Sequence, residues 1–226
     1  MTTGRSLVRP AATVTRILIT RLATRPLAWC SLACVLLLAP GISLVTPPGI
    51  LRVASAESSA AVLRVATFLG IAWGVILSCE HVWVLQRLSP AGRFAGESAT
   101  LVIVGACFAF AASIFDAVGH TLPPAPSVMG AGLALVNLAA LGSLLIQLRW
   151  RAHPTACAFA ALAFLLPAAF PLGSQGHAVL DSASWIAQHL STAPANSDKA
   201  LLDPSSFAPG AALFLVAYLL SRSARR

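Results

Sequence analysis

The side chains able to bind a metal or move a proton are few, and their spacing assigns them to no familiar chemistry. A b-type haem between helices needs two histidines at matched depth in facing apolar segments. His81 and His153 fall on one side of the apolar stretches and His120, His177 and His189 on the other, and none lies within a stretch. Cys79 and His81 are two residues apart, so on a helix they point to different faces and share no metal. Asp116, His120, His177 and Asp181 fall on one side, and a membrane enzyme built from them is one possible reading, although nothing in the sequence brings them together. There is no Gly-x-x-x-x-Gly-Lys-Ser/Thr phosphate loop, no His-Glu-x-x-His zinc helix and no Gly-x-Ser-x-Gly elbow. No catalytic, cofactor-binding or metal-ligating residue is therefore assigned, no cofactor is expected, and any ATP-driven step needs a separate subunit. Cys30, Cys34, Cys79, Cys107 and Cys157 all lie in or beside apolar stretches, where small buried hydrophobes are expected rather than disulfides.

A second group of polar residues stands within or next to the apolar stretches: Glu80, Asp116, Asn137 and Gln147. Polar groups at membrane depth are costly and face a protein interior or a water-filled path. Asp116 and Asn137 are the candidates to line a path or to bond a neighbouring helix.

Composition says why membrane depth is at issue. Hydrophobic residues make up 58% of the chain and charged residues 10%, with mean hydropathy +0.83. Soluble domains hold roughly 45–50% apolar and about 25% charged residues. A chain of this length could not bury so much apolar surface in water. The stretches are continuous and rich in Ala and Leu, unlike the alternating strands of membrane barrels, so the expected fold class is all-α and polytopic. The net charge of +8 sits in clusters beside the apolar stretches, which points to membrane orientation and not to nucleic acid.

Spans of about 20 residues are expected at 27–45, 60–78, 99–118, 128–148, 155–172 and 207–221. If the N-terminus is cytoplasmic, 12 of the 15 basic residues fall on the inner side, leaving Arg52, Arg64 and Lys199 outside. That is the positive-inside pattern with an even number of crossings and both termini cytoplasmic. Ala54-Ser55-Ala56 resembles a signal-peptide cleavage site, but it lies far beyond the first stretch and a long basic segment precedes that stretch.

Two further helices are expected outside the spans. Over 11–25, Val14, Ile17, Leu18 and Leu22 recur at helical spacing with Arg16 and Thr20 facing away, which suits a helix lying in the inner interface. Pro26 marks the bend into the first span. In the 173–206 segment, Val179, Ala183, Ile186 and Leu190 fall within about 60° of one another on a helical wheel, so an amphipathic helix on the outer face is expected from Gln175 to Leu190. Pro167 and Pro171 bend the fifth span. Gly70, Gly74, Gly105, Gly130, Gly132 and Gly142 suggest close helix contacts.

This order of parts resembles the ABC-2 type permease family, the membrane half of certain ABC exporters. Arg16 to Leu44 (RILITRLATRPLAWCSLACVLLLAPGISL) is similar to the family's elbow helix and first span. Glu80 to Glu97 (EHVWVLQRLSPAGRFAGE) is similar to its coupling segment, and the tail AYLLSRSARR has the basic ending usual there. The sequence departs from the family at His81-Val82-Trp83-Val84, where an acidic-x-Gly-Thr stretch is usual. The resemblance implies a transport permease subunit that couples a separate ATPase, through Glu80, Arg87, Pro90, Arg93 and Glu97, to export of a hydrophobic or lipid-linked substrate. It also implies a second permease subunit, identical or similar, and a lipid bilayer as solvent. The Arg- and Ala-rich usage suggests a bacterial inner membrane. The alternative is a non-catalytic structural subunit of a larger membrane complex.

Overall fold

A computed structural model describes residues 3–44, 51–80, 85, 88–119, 125–148 and 207–223. Among them the chain is all-helical: α1 Thr3–Ala23, α2 Pro26–Leu44, α3 Leu51–Glu80, α4 Pro90–Gly119, α5 Ala125–Leu148 and α6 Ala208–Ser223. The expected fifth span at 155–172 and the outer segment 173–206, with Pro167 and Pro171, lie outside the described residues.

Helix ends are set by local chemistry. Pro26 is the first residue of α2, and the turn before it is closed by Arg25 N donating to Leu22 O (3.0 Å) and Thr24 Oγ1 to Arg21 O (2.9 Å). At α4 the cap is Ser89. Its Oγ accepts from Gly92 N (3.3 Å), its carbonyl accepts from Arg93 N (2.8 Å), and Pro90 takes the first helical position. A serine cap followed by proline is a favoured helix start, because proline lacks only the N–H that would be orphaned there. The helix therefore begins well before the expected span at 99–118, and Arg93 and Glu97 lie in its opening turns and not in an inner loop. At 30 residues, α4 is about 45 Å long at 1.5 Å per residue, longer than a hydrocarbon core of about 30 Å. α3 has the same length and begins before the expected 60–78.

Close contacts fix the directions. Gly70 of α3 meets Gly105 of α4 and Gly74 meets Leu101, so these helices are antiparallel. Ser98 bonds Ser143 and Glu97 bonds Gln147, so α5 is antiparallel to α4. Phe94 packs on Tyr218 while Gly210 lies against Asn137, so α6 descends beside α5 in the same direction. Arg25 pairs with Glu80 and Trp73 Nε1 donates to Ser31 Oγ (2.9 Å), which sets α2 antiparallel to α3.

The helix expected over 11–25 is α1, Thr3–Ala23, and it packs against α4. It runs along α4 in the same direction: Pro10 sits over Gly92, Val14 over Gly96, and Thr15 Oγ1 donates to Gly96 O (3.1 Å). Its buried stripe of Val14, Leu18 and Leu22 joins Ala28, Leu32, Leu63, Val104 and Phe108 in one core cluster. A second cluster packs Phe68, Ile71 and Val75 of α3 against Leu101 of α4 and Leu138 and Ile146 of α5.

Among the described residues one helix, α4 over Pro90–Ile114, is long and apolar enough to cross a membrane, where the sequence reading expects six spans. Shorter apolar stretches occupy Val65–Glu80, Gly132–Leu148 and Gly210–Ser223. Leu27, Trp29, Val102, Ile103, Phe110, Ile114, Leu215, Val216 and Leu219 are large apolar side chains left exposed.

The backbones of α3 and α4 approach closely at Gly70. A Cβ at Gly70 would stand 2.7 Å from Val104 O and 2.8 Å from Gly105 Cα, where backbone cannot yield, whereas a Cβ at Gly132 meets nothing within 4 Å. Gly70→Val should destabilise the bundle by about 1–3 kcal/mol through overpacking, while Gly132→Ala should be neutral or slightly stabilising. Thermal unfolding of the two variants in the same detergent reads the difference.

Candidate functional site

The opening turns of α4 carry the densest group of buried polar side chains in the described bundle. Ser89 and Pro90 fix where α4 starts, and the 3.6-residue repeat then places Arg93, Glu97 and Thr100 on inward-facing positions. Glu97 is 1% exposed and Arg93 6%, both far below what is usual for these residue types. Gln147, the next-to-last residue of α5, donates Nε2 to Glu97 Oε2 at 3.1 Å inside the protein. One turn further along, Ser98 Oγ and Ser143 Oγ are 2.9 Å apart. Thr100 Oγ1 returns to Gly96 O (2.7 Å), so its hydroxyl is satisfied within α4. Ser78, near the end of α3, is buried too.

A carboxylate accepting from a neutral amide is a charge-assisted bond, about twice as strong as a neutral one. In this low-dielectric setting it fixes the register of α5 on α4 more firmly than apolar contact does. Gln147 Oε1 is buried and has no hydrogen-bond partner among the described residues, so the amide keeps one acceptor in hand. The arrangement can hold a polar or cationic group, or lock two helices.

The outer side of the same helix end is aromatic and cationic. Phe94 and Tyr218 have ring centroids 5.7 Å apart at 60°, and the Arg222 guanidinium lies 5.7 Å from the Tyr218 ring. On the far side Arg25 Nη2 and Glu80 Oε2 form an ion pair of 2.5 Å, with both side chains nearly half exposed, and exposed pairs of this kind contribute at most about 1 kcal/mol. Arg25, Arg93 and Arg222 thus gather at one end of the bundle.

The residues proposed from the sequence divide accordingly. Glu80 is exposed and paired with Arg25, and Pro90 opens α4. Arg93 and Glu97, expected in a segment that couples to an ATPase, are buried in the described bundle. Both lie within α4, which begins at Pro90, and Glu97 meets Gln147 of α5. Arg87, His81, His120, His153, His177, His189 and Asp181 lie outside the described residues. Asp116 falls within α4, with its side chain outside them. Asn137 is buried at mid-bundle, and Gly210 of α6 lies so close to its amide that a Cβ there would collide with Oδ1. This contact fits the helix-packing role for Asn137 better than a path-lining one. The reading from sequence passed over Gly92 and Gly96, the seat of α1, although their four-residue spacing with Thr100 is a small-residue stripe of the kind that packs helices.

Family models, curated proteins and solved structures were compared with the chain, and none of them matches it.

Removing the carboxylate strands a buried donor. Glu97→Ala should cost about 1–3 kcal/mol because Gln147 Nε2 loses its acceptor. Glu97→Gln, which keeps an acceptor oxygen at the same place, should cost less. Chemical or thermal unfolding of both variants, with Gln147→Leu as the partner deletion, checks that order.

Proposed function

We propose that this chain is a multi-pass membrane protein and works as the permease-like subunit of a transporter, with its driving ATPase on a separate chain. The observation that carries the membrane part is α4: a 25-residue apolar window with Val102, Ile103, Phe110 and Ile114 exposed along it. An apolar side-chain row of this size left open is stable against lipid and unstable against water. The gathering of Arg25, Arg93 and Arg222 at one end agrees with a cytoplasmic face there. α5 and α6 run the same way, which agrees with the expected span at 155–172 between them. Six crossings with both termini cytoplasmic follow on this reading.

The transport part rests on the resemblance of parts to ABC-2 permeases and on the mechanics of α4. A helix that starts at a capped break beside Ser89 and continues unbroken for 30 residues carries a displacement at its inner end across the bilayer. The Glu97–Gln147 bond passes that displacement to α5. A motor chain would then engage the exposed break, Ser89 and Glu80, and not the buried Arg93 and Glu97. The substrate class is hydrophobic or lipid-linked, in a bacterial inner membrane, with a second permease subunit completing the path.

A second reading is a structural subunit of a larger membrane complex. The Glu97–Gln147 bond, buried between α4 and α5, favours it.

A photo-crosslinking residue at position 89, exposed at the inner break, should capture a nucleotide-binding subunit in native membranes, and the same residue at position 110 should capture none. Absence of any nucleotide-binding chain from the position-89 adducts contradicts the transporter reading and leaves the structural one.

A further inference from the structure

On one flank of the bundle α1, α2 and α4 leave an open apolar groove of about 220 Å³. Ile19 and Ala23 of α1 form one wall, Trp29 and Leu32 of α2 the other, and Ile103 and Cys107 of α4 the floor. Almost no polar surface enters it, because the indole N–H of Trp29 is turned away to donate to Ala23 O at 3.0 Å. Trp29, Ile103 and Cys107 are all exposed, so the groove faces the surroundings of the bundle and not its core.

The groove itself is apolar throughout, and a charged residue stands just beyond it on the helix that forms one wall. On α1, Arg16 precedes Ile19 by three residues and Ala23 by seven, so all three share one helix face. Arg16 is exposed, and α1 contains no acidic residue to neutralise it. The carboxylate of Glu80 is paired with Arg25. On α4 the positions one and two turns before Ile103 are Ala99 and Ala95, both exposed and small, so the floor stays open toward Arg16. Val14 against Gly96 sets α1 in step with α4, which puts Arg16 beside the turn where the apolar part of α4 begins. A guanidinium at the mouth and a greasy channel rising from it have the polarity of one phospholipid: phosphate below, acyl chain above.

We propose that this groove is a binding site for an anionic phospholipid, with the phosphate held by Arg16 and one acyl chain lying over Ile103 and Cys107 between Ile19 and Trp29. The proposal rests on the membrane reading of α4. It adds a specific headgroup preference that a general lipid annulus would not have. An exposed arginine near a membrane surface contributes about 1 kcal/mol toward anionic lipid, which corresponds to about a fivefold preference.

The test uses the full chain reconstituted in vesicles of phosphatidylcholine containing lipid brominated on the acyl chain, either phosphatidylglycerol or phosphatidylcholine. Quenching of Trp29 is obtained as the difference between the native protein and Trp29→Phe. Brominated phosphatidylglycerol should quench Trp29 at about one fifth the mole fraction needed with brominated phosphatidylcholine. Arg16→Gln, an exposed change that leaves the fold intact, should abolish that preference, and Ala111→Phe should reduce quenching by both lipids. Equal quenching in the native protein, or a preference that survives Arg16→Gln, overturns the proposal. So does absence of quenching together with Cys107–Cys107 crosslinking between copies, since a second chain would then occupy the groove. Protein that fails to float with the vesicles would contradict the membrane reading itself, which keeps the two failures apart.

Discussion

Every other described helix touches α4, and the constraint that organises the bundle is that one helix must satisfy a different neighbour on each face. Toward α3 it offers Gly105 and Leu101, which let two backbones meet almost directly. Toward α1 it offers Gly92 and Gly96, and toward α5 it offers Glu97 and Ser98. The remaining face, Val102, Ile103, Phe110 and Ile114, is given to the surroundings. In a membrane the usual gain from burying apolar side chains is absent, since lipid is as apolar as leucine. Helix association then relies on close packing and interhelical hydrogen bonds. The α4 faces supply both, with glycine contacts on two sides and polar bonds on the third.

The polar region at the inner end follows from the same constraint. A buried carboxylate and a buried guanidinium are expensive wherever they sit. On the proposed membrane reading, their place in the first turns of α4 keeps them close to the headgroup zone, where the cost is lower than at the bilayer centre. The Glu97–Gln147 bond then specifies which residues of α5 face α4. A core made only of Leu, Ala and Val tolerates slippage by a turn far more readily.

Much of the helical content was legible in the sequence because apolar stretches of that length, bounded by proline and arginine, admit little else. Pro26, read as the bend into the first span, is the first residue of α2. Arg93 and Glu97 read as anchors of a coupling segment ahead of a span at 99–118, whereas the Ser89 cap starts one helix that carries both of them and runs unbroken to Gly119. The seat of α1 was also hidden. Its amphipathic pattern fits either a lipid surface or the groove over Gly92 and Gly96, and only the packing partner distinguishes the two. Asn137 was legible as a polar residue at depth, but its contact with Gly210 joins positions too far apart in sequence for spacing to reveal.

The claim on which the rest depends is that the open face of α4 lies in hydrocarbon. The most direct measurement is a spin label at Cys107, with Cys30, Cys34, Cys79 and Cys157 replaced, in protein reconstituted into vesicles. Collision with oxygen, which concentrates in lipid, should be strong, and collision with a water-soluble nickel complex weak. A label at position 89 should show the reverse. A Cys107 label as accessible to the nickel complex as the one at position 89 would contradict the account.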